Sequence, residues 1–393
     1  MARENSSERS LLIATIGDLH LRDTQYATTR RGYDFFAAAK RAVIAACQSD
    51  ADVIVCTGDI FDVARPSAKV IGQLVQLDRE VAMRGKRMLC ITGNHDYSNP
   101  TWLDTLFPVW QQEKGPYEDM VGIIPVDGRS VVEKGFTITG LPPYTYAAFR
   151  EKLAEIEAVV RDSDVILYHG FVTGITPVFA GHKNVLDVSE LPTGSHTKAI
   201  LLGDIHVQEY VTVKGAAGQD VLVGYQGSLE MCSASEPTEK SIPLIRVTES
   251  GAVVESTIPT TIRPFIHRKV RTEEELDELV EIVTKVAAEH PVVAIEFDRN
   301  LTQTLPRLHA ILDAQRAVIR CSPLPSSAEF VPRTVTKSEE ADLGMEHFIQ
   351  RKFSDDPELA DVALQLFFRG ESDWSSIITG MVDSRLTATK VRE

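Results

Sequence analysis

Five short apolar runs, each closed by a turn carrying a polar side chain that binds metals well, restrict this chain to few folds. They are LLIATIGDLH (11–20), ADVIVCTGDIFD (51–62), KRMLCITGNHD (86–96), DVILYHG (164–170) and AILLGDIH (199–206). Runs of Val, Ile and Leu stopped by Gly read as buried strands entering tight turns. In an open α/β sheet, ligands bind at the carboxyl ends of the strands. The side chains presented there are Asp18, His20, Asp59, Asn94, His169, Asp204 and His206. All are oxygen or imidazole donors and none is a thiolate, so one shared site for two hard divalent cations is the simplest expectation.

The connecting segments fit that scheme. Residues 32–48 place Phe35, Phe36, Ala39, Val43 and Ala46 at helical spacing, and Pro66 is expected to open a second helix carrying Val70, Ile71, Leu74, Leu77 and Val81. Strands alternating with helices predict a layered α/β domain over residues 10–258. After Asp204 the pattern changes to short strands, EYVTVKG, QDVLVGYQGS, SIPLIRV and AVVESTIP, with SASEPTEK expected as a surface loop. The segment TIPTTIRPF reads as a linker to a small β-α-β-α-β domain at 263–325. Residues 335–393 are expected to form amphipathic helices, one striped by Met345, Phe348, Ile349 and Phe353, the next by Leu359, Val362, Leu366 and Phe367. Two helices are too few for a core of their own, so they should pack on this chain or on another protein.

Composition narrows the function classes. A chain of 393 residues exceeds one compact core. No apolar run reaches the roughly 20 residues that span a bilayer, and the polar start MARENSSERS lacks a signal peptide's apolar region, so a cytoplasmic or nucleoid-associated protein away from membranes is expected. Five dispersed cysteines without a CxxC pair speak against zinc fingers and disulfides and for buried, reduced thiols. The net charge of −15 disfavours a free-standing nucleic-acid binder. Two bound cations would nevertheless reverse the sign where a phosphate must approach.

Taken singly, the motifs are weak. Gly-Asp is common at turns, and a lone histidine after a strand is more often structural than a ligand. Their order is not weak: Asp-x-His, Gly-Asp-x-x-Asp, Gly-Asn-His-Asp, a strand-terminal His, then Gly-Asp-x-His. Asp18 and His20, two apart on an extended segment, would point to one side and hold one ion. Asp59, with two oxygens, is the natural bridge. Asn94 is a neutral ligand, and His169, His206 and Asp204 complete the shells. This donor set favours manganese, with magnesium also suitable. Paired cations activate a water and clamp the attacking and leaving oxygens of a displacement at phosphorus. His95, beside a ligand, is placed to protonate the leaving oxygen.

These ordered motifs resemble the calcineurin-like metallophosphoesterase superfamily. Within it, GDIFD, GNHD and GYQGSLEMCSASE resemble the SbcD-type nuclease subunit, a relative of the meiotic-recombination-eleven nuclease. The resemblance implies a layered α/β sandwich of two mixed sheets flanked by helices, a small α+β capping domain and a helical tail docking on an SbcC-like SMC-type ATPase. It further implies DNA as substrate, cut at ends by exonuclease and endonuclease action in repair, recombination or replication, and a homodimer within a heterotetramer. It would assign Asp18, His20, Asp59 and His206 to one ion, and Asp59, Asn94, His169 and Asp204 to the other, with His95 catalytic. The last motif in this family usually reads Gly-His-x-His; here Asp204 replaces the first histidine. The added negative charge should make the second ion less electrophilic. Alternatively Asp204 only orients His206.

Asp62 sits where some relatives carry a phosphate-contacting histidine, and either that role or support of the turn and of His95 is expected. Tyr225, Gln226 and Ser228 match a family loop near the metals and are candidate DNA contacts. Arg30, Arg31, Arg268 and Lys269 are candidate phosphate contacts, although charge runs are usually solvated faces. His182 and His196 are read as solvated. Two rivals remain at this point: a phosphatase or small-substrate phosphodiesterase of the same superfamily, and a non-catalytic scaffold for the ATPase.

Overall fold

A computed structural model describes residues 9–97, 101–107, 120–175, 185–314 and 317–324. The chain begins with β1 (Ser10–Ile16), α1 (Thr29–Gln48), β2 (Val53–Cys56), α2 (Ala68–Ala82), β3 (Arg87–Cys90), α3 (Trp102–Leu106) and β4 (Gly122–Pro125). It continues through β5 (Arg129–Glu133), β6 (Phe136–Gly140), α4 (Tyr146–Glu151), α5 (Leu153–Val160), β7 (Val165–His169), β8 (Val172–Thr173), β9 (Leu186–Asp187) and β10 (Ala199–Gly203). Then come β11 (Glu209–Lys214), β12 (Asp220–Tyr225), β13 (Lys240–Thr248) and β14 (Ala252–Thr260).

Two mixed six-stranded sheets result, in the orders β14-β13-β1-β2-β3-β4 and β11-β12-β10-β7-β6-β5. They pack face to face because the two-residue period of each central strand supplies two apolar faces. Leu11, Ile13, Val53 and Val55 join Val165, Leu167, Ala199 and Leu201 in the core between the sheets. Leu12, Ala14, Ile16 and Ile54 face the other way, onto Ala39, Val43, Leu74 and Leu77 of α1 and α2. The outer face of the second sheet buries Ile166, Tyr168, Ile200 and Leu202 against Phe149, Ile156 and Val160 of α4 and α5. The expected sandwich flanked by helices is what the chain forms.

Local chemistry explains the helix starts. Thr28 caps α1 by accepting from the Arg30 amide, and Ser67 caps α2 by accepting from the Val70 amide. Pro66 therefore lies outside α2, one residue before its cap, and not in its first turn as expected. The expected linker also starts late, because β14 continues to Thr260.

After it, β15 (Phe265–Val270), α6 (Glu273–Lys285), β16 (Val292–Phe297), α7 (Leu305–Ala314) and β17 (Val318–Pro323) form a three-stranded parallel sheet. Val270, Leu279, Val283, Ile295, Leu308 and Leu312 give it a separate core. Arg263 ties this region to the first helix through Asp34, at 2.5 and 2.8 Å. The amphipathic tail and His182 lie outside the described residues. No described helix is long and apolar enough to cross a membrane.

Candidate metal centre

The seven predicted ligands come from the carboxyl ends of β1, β2, β3, β7 and β10, where the two sheets meet. Asp59 sits at the middle. Its Oδ2 lies 3.5 Å from His20 Nε2, and its Oδ1 lies 3.4 Å from His169 Nε2. On the first side, His20 Nε2 and His206 Nε2 are 3.1 Å apart. On the second, His169 Nε2 is 2.9 Å from Asn94 Oδ1 and 3.9 Å from Asp204 Oδ1. The Asp204 amide donates to Asp18 Oδ1 at 3.1 Å, which closes the ring of residues.

The backbone is strained here. Asp18, His20, Asp59 and Asp204 have φ of 48°, 43°, 49° and 101°, a region that side chains other than glycine rarely enter. Asp18 and His20 are thus not on an extended segment, as the two-residue spacing suggested. A left-handed turn brings them together instead. Glycine is needed at positions 58 and 203, where a Cβ would stand 2.6 Å from His169 Nδ1; Gly58 also has φ of 99°.

Hydrogen bonds fix which imidazole nitrogens face the centre. His169 Nδ1 lies 2.8 Å from the Thr57 carbonyl, which can only accept, so Nδ1 carries a proton and Nε2 is the nitrogen turned to the centre, a ligand once its own proton is displaced. Likewise His206 Nδ1 donates to Glu236 Oε1 at 2.9 Å. Buried Asp18 Oδ2 has no hydrogen-bond partner, whereas His20 Nδ1, on the far side of its ring from Asp59, lies 3.4 Å from Asp62 Oδ1. An unpaired buried carboxylate oxygen is costly, and this one is what a cation ligand looks like. Among the described residues, Asp18, Asp59 and His169 offer ligand atoms within 4.8 Å of one another, as do His20, Asp62 and His95. The residues present fit a paired-cation centre.

The charges agree with that arrangement. Burial opposes ionisation of Asp59, but the His169 hydrogen bond and the surrounding imidazoles hold it down to about 2. Burial also opposes the charged form of His169, yet Asp59, by hydrogen bond and charge, raises it to about 10. Burial raises Asp18, with His169, His206 and His20 pulling it back. The protein spends protons here where cations would otherwise balance the carboxylates.

His95 stands at the rim with a 42% exposed side chain. Its Nδ1 lies 2.8 Å from the Asp62 carbonyl, and its Nε2 lies 4.0 Å from Asp59 Oδ2. Asp62 therefore supports His95 through its backbone, while its carboxylate pairs with Arg22 at 2.6 Å. Asp204 is 29% exposed at the side chain and stands on the His169 side. The residue that orients His206 is Glu236, not Asp204.

Several candidate DNA contacts require correction. Arg31 is fully buried, paired with Asp34 at 3.0 Å and Glu230 at 3.2 Å, and it donates to the Met231 carbonyl. Tyr225, Gln226 and Ser228 are also buried. The Tyr225 hydroxyl accepts from the Val172 amide at 2.7 Å, Gln226 accepts from Tyr210 at 2.6 Å, and Ser228 donates to Glu236 at 2.9 Å. These four residues shape the protein from within. Arg30, Arg268, Lys269 and His196 are exposed, although Lys269 lies 3.5 Å from Glu296.

The SASEPTEK segment is more than a surface loop, because Glu236 turns inward from it. Its carboxylate accepts from Ser228, Ser233 and Lys240 as well as His206. The only sequence signal for it was its place at the end of GYQGSLEMCSASE. Asp96 was also missed: it accepts from the Ile60, Phe61 and Gly93 amides at 2.6–3.0 Å and so holds the β2 and β3 turns together. Cys232 departs from the sulfur-free expectation, since its thiol groups with His20 and His206. Burial raises the pKa of this thiol, against the neighbouring His206.

The model of the family described as calcineurin-like phosphoesterase matches residues 11–208, half of the chain. Similar curated proteins include the DNA double-strand break repair protein Mre11 of Haloferax volcanii, 28% identical over 71% of this chain and 59% of that protein. The protein of that name from Methanosarcina acetivorans is 28% identical over 68% of this chain and 42% of its own length. The one from Halobacterium salinarum is 24% identical over 72% of each. The chain thus spans about half the length of the first two relatives. With the strand-end donors in the order the family model covers, this chain belongs to the calcineurin-like phosphoesterase family and is a distant homologue of the Mre11 proteins.

Proposed function

We propose that this chain is the nuclease subunit of an SbcCD-type complex, hydrolysing DNA phosphodiester bonds at a two-metal site in DNA repair. The observation that carries the reading is Asp59, whose two oxygens face His20 on one side and His169 on the other. Asp18, His20, Asp59 and His206 would hold one cation, and Asp59, Asn94, His169 and Asp204 the other, with manganese preferred. When bound, the cations supply Lewis acidity at phosphorus and an activated water.

The chain's own residues do the rest. His169 and His206 are locked by Thr57 and Glu236 with their Nε2 atoms inward. His95 keeps its Nδ1 proton on the Asp62 carbonyl, so only its imidazolium form carries a proton on Nε2. That proton is the one delivered to the leaving oxygen. The sheet at 265–323 is assigned as the capping domain, and residues 335–393 as the segment that binds the SMC-type ATPase. The names of the distant relatives and the quoted motifs support the DNA reading.

The test is nucleotide release from linear DNA by the purified protein, with and without manganese, repeated with the ATPase added. Hydrolysis of phosphomonoesters with no DNA cleavage in either mixture would make the chain a phosphatase. Deleting residues from 338 onward should abolish ATPase association while short DNA is still cut.

A further inference from the structure

A cavity of about 780 Å³ opens beside the centre, and Asn94, His169 and Asp204 form part of its wall. Its remaining wall has no evident part in hydrolysis: it includes Tyr97, Pro142, Pro143, Tyr144, Lys152 and Phe171. That volume lies within the range of about 300–1,000 Å³ found for small-ligand sites.

The wall is built rather than incidental. The Tyr144 ring packs edge-on against buried Phe149 (centroids 6.2 Å apart, 81°), and Phe149 packs on Tyr168 at 5.4 Å. The Tyr168 hydroxyl donates to the Tyr144 carbonyl at 3.4 Å. Tyr144 is therefore braced from behind, and Pro142 and Pro143 stiffen its approach. Tyr97, from the turn that carries Asn94, is 61% exposed. Lys152 is half-exposed, with Glu155 3.9 Å away, an exposed pair worth little.

A braced aromatic face, a second exposed tyrosine and one lysine, beside a phosphate-directed cation site, match the parts of a nucleotide. Aromatic faces stack bases of any sequence, and lysine follows phosphate. We propose that this cavity receives the nucleobase of the nucleotide whose phosphate faces Asp59, on the Tyr144 and Tyr97 wall, with Lys152 drawing the adjoining phosphate. This deepens the nuclease reading and rests on it for the claim that the nucleotide belongs to DNA.

The experiment is calorimetric titration of deoxyadenosine monophosphate and of deoxyribose 5-phosphate into the full chain, without added metal and with manganese. Wild type should prefer the nucleotide by roughly 10-fold or more, the scale of one base–aromatic stack. Tyr97→Ala and Tyr144→Ala should each shrink that preference, and Tyr144→Phe should restore it. Tyr97 is exposed enough for its variant to fold normally, which guards against a folding artefact at Tyr144. Equal binding of the two ligands by wild type, or a preference unchanged in both alanine variants, overturns the pocket. If the preference holds but no DNA is cut, the DNA reading falls and the nucleobase pocket stands.

Discussion

Glu236 Oε1 lies 2.9 Å from His206 Nδ1, and the same carboxylate receives the Lys240 ammonium at 2.8 Å. Burial opposes the charge on Glu236, but His206 and Lys240 hold its pKa down to about 2. A buried anion thus fixes a metal-competent imidazole from 30 residues away. Replacing Glu236 with Ala should weaken manganese binding about 10–100-fold, the usual cost of losing a histidine's outer partner. Glu236→Gln, which retains an acceptor for Nδ1, should recover part of it. Calorimetric manganese titration checks this, and wild-type affinity in Glu236→Ala would reduce Glu236 to a loop anchor.

The His95 amide donates to Asp59 Oδ1 at 3.0 Å, while its ring is held by the Asp62 carbonyl. His95→Asn should lower the rate of DNA cleavage by about 10²-fold or more, as expected for a missing general acid, while manganese still binds. Survival of DNA degradation in that variant would remove His95 from the role of proton donor.

Asp204 stands 3.9 Å from His169 and adds a negative charge where the resemblance to the SbcD type implies a histidine. Asp204→His should shift the metal preference away from the hardest cations without abolishing activity. Rates with manganese, magnesium and cobalt compared for both proteins provide the measurement. Loss of both metals in the variant would count against the assignment.

Asp127 links pH to stability outside the predicted ligand set. Burial raises its pKa from 3.8 to about 6, against hydrogen bonds from the Thr92 amide and hydroxyl. The folded state therefore binds more protons than the unfolded chain between these values, and this group's contribution to stability falls as pH rises from about 4 to about 6. Asp127→Asn retains the acceptor at Oδ1 and should flatten that dependence. Urea denaturation at pH 4.5 and pH 7, on wild type and variant, reads the difference.

Arg31 pairs with Glu230 and Asp34 inside the protein. Arg31→Met should cost about 3–5 kcal/mol of stability, because Glu230 is left as a buried charge without its partner. The salt dependence of DNA binding should stay as in wild type. A reduced salt slope with normal stability would return Arg31 to the DNA-contacting residues.

The strands β1, β2, β3, β7 and β10, the helices α1 and α2, and the convergence of Asp18, Asp59, Asn94, His169 and His206 were legible from sequence, whereas β4, β5 and β6 were not. Those features depend on local information: a two-residue apolar period, a 3.6-residue period, and glycines at strand ends. Long-range contact decided the remainder. Which arginine is buried depends on Glu230, 199 residues away, and which acid orients His206 depends on a loop folding back onto it. The left-handed turns at Asp18, His20 and Asp59 likewise exist because amides at 18 and 20 bond to carbonyls at 58 and 59. Periodicity fixes what one segment prefers. Charge burial and strained backbone are settled only by the neighbours that a segment acquires on folding.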